Sequence, residues 1–240
     1  MTYCVGVKLS GGLVFASDSR THAGVDNYAK FCKMTVFERL GDRVLVLLSS
    51  GGLAGTQAVI GLLRKRAVDA AVNLLNVTSM FDVANLVGDA MRDIGHRDGP
   101  HLEGSGLKFN ASMLLGGQIG GEDVRLFRIY PEGNFIEAGA DTCFLQTGEF
   151  KYGKPILDLA VTPLATMEDA TKCVLLSFDS TMRSNLSVGM PIDLLCYESG
   201  SLQVTTKRRF DAGDVYFELL KQRWNTGIGQ VFRELPALEW

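Results

Sequence analysis

The sequence has few of the residues that usually bind metals or form disulfide frameworks. Its 240 residues include three histidines and five widely spread cysteines, and no two cysteines form a CxxC pair. An odd number of scattered cysteines does not predict a disulfide scaffold or a zinc site, and it is typical of a reducing compartment. His22, His96 and His101 form no HExxH motif and have no evident serine or cysteine partner. We therefore expect no metal, no cofactor and no histidine-based catalysis.

Blocks of like charge and long apolar runs are also missing. The chain has 24 basic and 27 acidic residues, for a net charge of -3, which argues against nucleic acid or an anionic membrane as a partner. A run of three basic residues at 207–209 is interpreted as the solvated end of a strand. No stretch approaches 18 consecutive apolar residues, and the first residues do not have the pattern of a signal peptide. The sequence thus predicts a soluble, cytoplasmic protein.

Hydrophobic residues make up 46% of the chain, which is enough for a substantial core. Apolar positions alternate in residues 3–18 around a glycine turn and predict a β-hairpin. Residues 34–38 and 43–49 predict a second strand pair. The rest of the chain predicts helices at 54–75, 80–96, 151–159, 167–183 and 214–223 and strands at 111–115, 124–129, 135–138, 192–197 and 202–206. His96 and His101 then fall in a loop around Pro100.

The order of these elements is typical of an α+β fold. Runs of strands followed by runs of helices favour two antiparallel sheets packed together with helix pairs outside. Paired glycines at 116–117 and 120–121 lie between strands, and no GxxxxGK[ST] motif occurs, so a nucleotide-binding fold is not expected. We interpret residues 1–240 as a single domain with a C-terminal helical extension at about 211–240.

Thr2 directly follows Met1 and is a candidate nucleophile. Removal of the methionine would leave a threonine with both a hydroxyl group and a free α-amine. The ordinary pKa of an α-amine is about 7.7 to 8.0, close to the pH at which a general base works best. One residue would then supply nucleophile and base. Taken alone, this signal is weak, because threonine is common at the second position.

Asp18 and Lys33 lie beside the predicted N-terminal hairpin. A lysine near the threonine hydroxyl would favour its alkoxide, and a carboxylate would keep that lysine charged and in place. The same two residues also fit a purely structural ion pair, and the residues alone leave both interpretations open. Similarly, Gly51 and Gly52 lead from a strand into a helix, where free N–H groups would either face an oxyanion or simply begin the helix.

Together these features resemble the β-type subunits of the proteasome, which are threonine peptidases among the N-terminal-nucleophile hydrolases. The resemblance covers nearly the whole chain and is carried by Thr2 and by the stretches GGLVFASDSRTHAG, FCKMTVF, SSGGLAGTQAV and ASMLLGGQIGGEDVRLFRIYPEGNF. Among bacterial branches, the sequence is most similar to the Anbu group, the proposed ancestral β-subunit, because of LLSFDSTMRSNLSVGMPIDLL and the long C-terminal extension. The resemblance implies a four-layer αββα sandwich.

The resemblance also implies a set of catalytic residues. They are Thr2 as nucleophile and, through its amine, as base, Lys33 as the neighbouring cation, Asp18 as its partner, Arg20 as a support, Gly51 as an oxyanion N–H donor, and Ser187. The sequence departs from the family pattern at two places. Ser184 stands where an aspartate is expected, and the usual glycine-serine-glycine stretch reads Thr147-Gly148-Glu149. Both departures concern the positioning of the amine and the relay of protons.

We expect a cytoplasmic threonine hydrolase that cleaves peptide bonds in peptide or protein substrates through an acyl-enzyme on Thr2. The resemblance further implies self-association into a ring or open-ring homo-oligomer, while an ATP-driven partner stays unknown. Apolar residues at 111–115 and 54–75 are expected to provide surface for that association. Two alternatives remain: a weakly active or inactive ring-forming scaffold or binding subunit, and a narrow amidase that acts on a small amide.

Overall fold

The computed structural model describes residues 2–22 and 28–239. In chain order, the strands are β1 (Tyr3–Leu9), β2 (Gly12–Asp18), β3 (Arg20–His22), β4 (Tyr28–Lys30), β5 (Met34–Arg39), β6 (Arg43–Ser50), β7 (Ser112–Ile119), β8 (Arg125–Ile129), β9 (Phe135–Glu137), β10 (Phe144–Gly148), β11 (Ile192–Glu198) and β12 (Thr206–Phe210). The helices are α1 (Leu53–Asp69), α2 (Met80–Glu103), α3 (Lys154–Ala160), α4 (Met167–Ser184) and α5 (Val215–Glu234).

Most of the strands form two five-stranded antiparallel sheets. The first has the order β10-β1-β2-β11-β12 and the second the order β5-β6-β7-β8-β9, while β3 and β4 form a separate pair. The β1–β2 hairpin closes with Leu9 opposite Gly12, which confirms the turn predicted from the alternation in residues 3–18. Strand β10 pairs with β1 so that Tyr3 lies opposite Gly148. This register places the start of β1 beside the end of β10.

The hydrophobic core lies in three layers between the sheets and helices. Side chains of both sheets meet in the middle, among them Phe15 of β2 and Val46 of β6. The outer face of the first sheet packs against α3, α4 and α5, around Phe178, and that of the second sheet against α1 and α2, around Val59. Each such side chain contributes about 1.5–3 kcal/mol when fully buried. The predicted αββα sandwich is therefore confirmed.

Polar side chains fix the start of three helices. The cap residues are Ser79 before α2, Thr166 before α4 and Asp214 before α5, and each side chain accepts a hydrogen bond from a backbone N–H in the first turn. A cap of this kind stabilises a helix by about 1 kcal/mol. The loop that follows the end of α4 leads into β11, which pairs with β2 and so lies beside the site.

Helix α2 is longer than predicted. It continues through Pro100 to Glu103, so the assignment of His96 and His101 to a loop was wrong. Pro100 has no N–H to donate to the carbonyl group of His96, four residues earlier. Both residues are exposed, so water can take the place of this hydrogen bond. The proline is therefore tolerated in the last turns.

The C-terminal elements also differ from the prediction. The strand expected at 202–206 is β12 at Thr206–Phe210 instead, because Leu202 has a φ of +47° and forms part of the turn. The basic run at 207–209 thus lies within a strand. Helix α5 extends to Glu234 and not to 223, and β10 was not predicted at all.

Candidate active site

Asp18 and Lys33 form a buried ion pair at the end of the first sheet. Asp18 is the last residue of β2, and Lys33 directly precedes β5. Lys33 Nζ donates to Asp18 Oδ1 at 2.8 Å, and the backbone N–H of Tyr3 donates to the same oxygen at 3.1 Å. The lysine is 7% exposed and the aspartate 0%. Since the two donors share one oxygen, the ammonium group lies close to the residue that follows Thr2.

The environment of Asp18 is unfavourable for an isolated charge. Burial raises the pKa of its carboxyl group, and the Lys33 ammonium together with the amides of Tyr3 and Gly189 opposes that increase only in part. Removing one partner would leave an uncompensated buried charge, at a cost of about 3–5 kcal/mol. The pair therefore depends on both of its members.

Thr2 is held by its backbone at the start of β1 and is buried. Its carbonyl oxygen accepts a hydrogen bond from the N–H of Glu149 at 2.7 Å. Gly148 has a φ of +83°, and a Cβ atom at this position would lie 1.9 Å from the Thr2 oxygen. Only glycine fits such a close approach. The departure of Gly148 from the family pattern is thus matched to the position of Thr2.

Arg20 links the ion pair to the loop that follows α4. Its carbonyl oxygen accepts a hydrogen bond from Lys33 Nζ at 2.5 Å, and its Nη1 donates to the Leu186 oxygen at 3.2 Å. A Cβ atom on Gly189 would lie 2.2 Å from the guanidinium carbon, so the side chain of Arg20 packs directly on the backbone of Gly189. Arg20 therefore positions both Lys33 and the loop.

Gly51 lies at the far end of β6, just before α1. Its φ is +106°, and a Cβ atom there would lie 2.2 Å from the carbonyl oxygen of Asn110. The Asn110 side chain accepts a hydrogen bond from the N–H of Gly52 at 2.7 Å. Gly51 itself is exposed. The asparagine thus fixes the glycine turn in which an oxyanion donor was expected.

The two serines near the end of α4 lie in different surroundings. Ser184 is the exposed last residue of the helix, whereas Ser187 is half-buried in the following loop. The N–H of Ser187 donates to Asn185 Oδ1 at 2.9 Å, and Asn185 Nδ2 donates to Glu149 Oε2 at the same distance. Ser187 is therefore connected to the backbone of Thr2 through Asn185 and Glu149.

Sequence reasoning missed Glu149, Asn185 and Tyr3 as members of this site. Asn185 and Glu149 are 36 positions apart in sequence, and the packing of α4 on the sheet that contains β10 brings them together. One signal pointed towards Glu149, namely the carboxylate in a stretch where the family pattern has glycine. Tyr3 contributes only its backbone N–H, which donates a hydrogen bond to Asp18, and a sequence does not reveal a backbone contact of this kind.

Two further features concern ligands and membranes. Within residues 2–22 and 28–239, no group of three or more histidine, cysteine, aspartate or glutamate side chains is arranged to hold a metal ion. In the same part of the chain, no helix is both long enough and apolar enough to cross a membrane.

The chain has two antiparallel sheets between helical layers, a threonine directly before β1 and a buried Asp–Lys pair beside that threonine. These features define its class, which is the N-terminal-nucleophile fold of the proteasome β type. Solved structures narrow this class. The chain is 46% identical to Anbu (ancestral beta-subunit) from Yersinia bercovieri, with 99% of each chain covered and a TM-score of 0.93. It is 47% identical to a Gly-1 mutant of Anbu from Hyphomicrobium sp. strain MC1, with 100% of each chain covered and a TM-score of 0.94.

A third structure, described as a helical assembly of the Anbu complex from Pseudomonas aeruginosa, is 46% identical, with 99% of this chain and 98% of that chain covered and a TM-score of 0.94. The chain therefore belongs to the Anbu family. This confirms the resemblance seen in the sequence. No family model and no curated protein matches the chain.

Proposed function

We propose that this protein is a threonine-type amide hydrolase that cleaves peptide bonds with Thr2 as its nucleophile once Met1 has been removed. The observation that carries the proposal is the buried Asp18–Lys33 pair, in which Asp18 Oδ1 also binds the N–H of the residue after Thr2. This arrangement provides a fixed positive charge beside a potential nucleophile, which is the environment that lowers the pKa of a hydroxyl group or an amine.

The reaction begins with a proton transfer within one residue. The free α-amine of Thr2 accepts the hydroxyl proton while the oxygen attacks the substrate carbonyl carbon. The positive charge of Lys33 stabilises the developing alkoxide, and Asp18 keeps Lys33 in place. The N–H of Gly51 faces the oxyanion of the tetrahedral intermediate. The C–N bond then breaks, and the ammonium form of Thr2 returns its proton to the leaving amine.

The second half of the reaction releases the acyl group. The α-amine of Thr2 takes a proton from water, and the resulting hydroxide attacks the ester carbon. The ester C–O bond breaks, the Thr2 oxygen regains the proton, and the carboxylic acid product leaves. Arg20 and Ser187 support this cycle from the loop after α4, where Arg20 contacts Lys33 and Leu186.

We further propose that the active form is a homo-oligomer located in the cytoplasm, with the single domain 1–240 as its subunit. The Anbu complex described as a helical assembly supports self-association. A ring-forming scaffold or binding subunit is the second candidate, because the amine on which the mechanism depends exists only in protein from which Met1 has been removed. The fold and the ion pair are equally compatible with a narrow amidase.

The test is covalent labelling with an epoxyketone, an electrophile that reacts with a hydroxyl group and an adjacent amine. Intact mass and N-terminal sequencing would first establish that Met1 is absent. We expect one adduct per chain, located at Thr2, and none in Thr2→Ala. Thr2→Ser is the matched control, since it keeps both reacting groups. Processed protein that forms no adduct at Thr2 would favour the scaffold.

A further inference from the structure

Glu149 is a buried acidic residue next to Thr2 that the proposed catalytic set does not include. The residue as a whole is 8% exposed. Its N–H donates to the Thr2 carbonyl oxygen at 2.7 Å. The preceding residue, Gly148, allows this close approach, because any Cβ atom there would overlap the same oxygen. The backbone of Glu149 is thus fixed against the residue that carries the proposed nucleophile.

Both carboxylate oxygens of Glu149 are engaged. Oε2 accepts a hydrogen bond from Asn185 Nδ2 at 2.9 Å, and Oε1 accepts one from the N–H of Lys151 at 3.3 Å. The amide oxygen of Asn185 in turn accepts a hydrogen bond from the N–H of Ser187 at 2.9 Å. A continuous series of hydrogen bonds therefore runs from Thr2 through Glu149 and Asn185 to Ser187.

The loop at 185–189, which contains Ser187, is also held from the other side of the site. Arg20 Nη1 donates to the oxygen of Leu186, and the guanidinium group packs on Gly189. Just beyond the loop, the oxygen of Pro191 accepts a hydrogen bond from the N–H of Ser19 at 2.8 Å. Contacts from the Asp18 side thus hold the loop at Leu186, at Gly189 and just beyond its end, while Glu149 holds its first residue, Asn185.

We propose that Glu149 is a positioning residue that ties the main chain at Thr2 to the loop at 185–189 through Asn185. This inference rests on the proposed function for its effect on Thr2 chemistry. Glu149 stands in the stretch where the sequence departs from the family pattern, and its carboxylate spans the space between β10 and the end of α4. Without this link, Thr2 and the Ser187 loop would be held only by separate contacts.

The hydrogen-bond pattern allows a test by exchange of donor and acceptor. In Glu149→Gln, the new amide has one oxygen for two donors, so either Lys151 or Asn185 loses its acceptor. In Asn185→Asp, two carboxylates face each other. In the double variant, the introduced glutamine accepts from the N–H of Lys151 and donates to the introduced aspartate, which still accepts from the N–H of Ser187. All three hydrogen bonds are then possible again.

The first measurement is the rate of epoxyketone labelling at Thr2, divided into the maximal rate and the concentration for half-saturation. We expect each single variant to lower the maximal rate about tenfold, as the loss of a buried hydrogen bond implies, with little change in the half-saturating concentration. The double variant should return to within about threefold of the wild-type rate. Glu122→Gln is the matched control. Glu122 Oε2 also accepts a hydrogen bond from a backbone N–H, that of Met80, but Glu122 follows the end of β7 that lies away from Gly51.

The second measurement needs no activity. Hydrogen exchange at the amide of Ser187 should become about tenfold faster in each single variant and slow down again in the double variant. Equal exchange and labelling in all four proteins would overturn the role of Glu149, as would a double variant worse than either single one. Wild-type protein that is not labelled but shows the expected exchange pattern would overturn the proposed function and leave the link through Glu149 supported.

Discussion

At the scale of single residues, the proposed chemistry depends most on the ion pair between Asp18 and Lys33. Lys33→Met leaves Asp18 buried without its cation, and Asp18→Asn leaves Lys33 without its anion, so each single variant should be less stable by about 3–5 kcal/mol. The double variant, Asp18→Asn with Lys33→Met, contains no buried charge at this place. We expect it to regain most of the free energy of unfolding, as measured by denaturation in urea.

Labelling at Thr2 should behave differently from stability in these variants. Each of the three proteins should react at least about 10²-fold more slowly than wild type, because the charge beside Thr2 is disturbed in all of them. Their losses should also be far from multiplicative, since both residues act as one unit. A double variant that is stable and labelled at the wild-type rate would show that the pair is only structural.

Gly148 allows a second residue-level prediction about the position of Thr2. Its φ is +83° and that of Gly200 is +81°, but a Cβ atom on Gly148 would lie 1.9 Å from the Thr2 oxygen, whereas one on Gly200 has nothing within 4 Å. Gly200→Ala should therefore cost only backbone strain, about 1 kcal/mol. Gly148→Ala should cost clearly more and should also slow labelling at Thr2. Equal unfolding free energies for both variants would contradict this account.

At the level of strands and helices, much of the fold could be predicted because local patterns coincide with the layers. The β1–β2 hairpin follows from alternation around a glycine turn, and β6 from a run of residues that is apolar on both faces. The C-terminal hairpin was shifted because Leu202 has apolar character but a turn conformation, with a φ of +47°. Helix α2 was cut short because Pro100 is usually a stop signal, although an exposed last turn tolerates it.

The sequence alone offered Thr2, Asp18 and Lys33 as candidates, but only the family resemblance chose between a catalytic and a structural role for them. The structure brings Asp18 and Lys33 together. The link from Glu149 to Asn185 could not be found from the sequence, because it joins the end of β10 to the end of α4. No periodicity relates residues so far apart. Contacts of this kind depend on how the layers pack.

The junction between β2 and the β11–β12 pair gives a prediction about pH. Asp193 of β11 accepts hydrogen bonds from Ser19 Oγ at 2.6 Å and from Arg209 Nε at 2.7 Å. Burial raises the pKa of Asp193, but the hydrogen bonds from Arg209 and Ser19 outweigh it and lower the pKa overall. A lowered pKa means that the folded state binds fewer protons than the unfolded state.

Stability from this contact is therefore complete above the unfolded pKa of about 3.9 and is lost as the pH falls through the lower folded value. We expect Asp193→Asn to be less stable than wild type at neutral pH, and the difference to shrink below about pH 4. Urea denaturation at several pH values measures this. Asp158→Asn, which changes an exposed carboxylate on α3, is the control. A difference that stays constant down to low pH would refute the assignment.

For the whole molecule, the structure changes the surface expected to support self-association. The apolar residues at 111–115 are not available, since Met113, Leu114 and Leu115 are fully buried within the chain itself, so that expectation was wrong. Mostly apolar residues of α5 and its C-terminal cap instead line a surface groove, namely Trp224, Gly227, Ile228, Val231, Phe232 and Leu235 together with Arg223. Phe232 is 73% exposed and Val231 59%.

An apolar groove of this kind on a protein surface is typical of a contact with another protein. Because the protein is proposed to be a homo-oligomer, we expect a second copy of the chain to cover it.

Val231→Asp combined with Phe232→Asp places charges in the groove and should shift the protein towards smaller species in sedimentation velocity at micromolar concentration. Leu40→Asp is the matched control, because Leu40 is 75% exposed but lies in the β5–β6 turn, apart from the groove. The folded subunit should be unaffected, since these side chains contribute little to its core. Unchanged assembly in the double variant, with the wild-type protein oligomeric, would exclude α5 from the interface and direct attention to Val68 and Val72 near the end of α1.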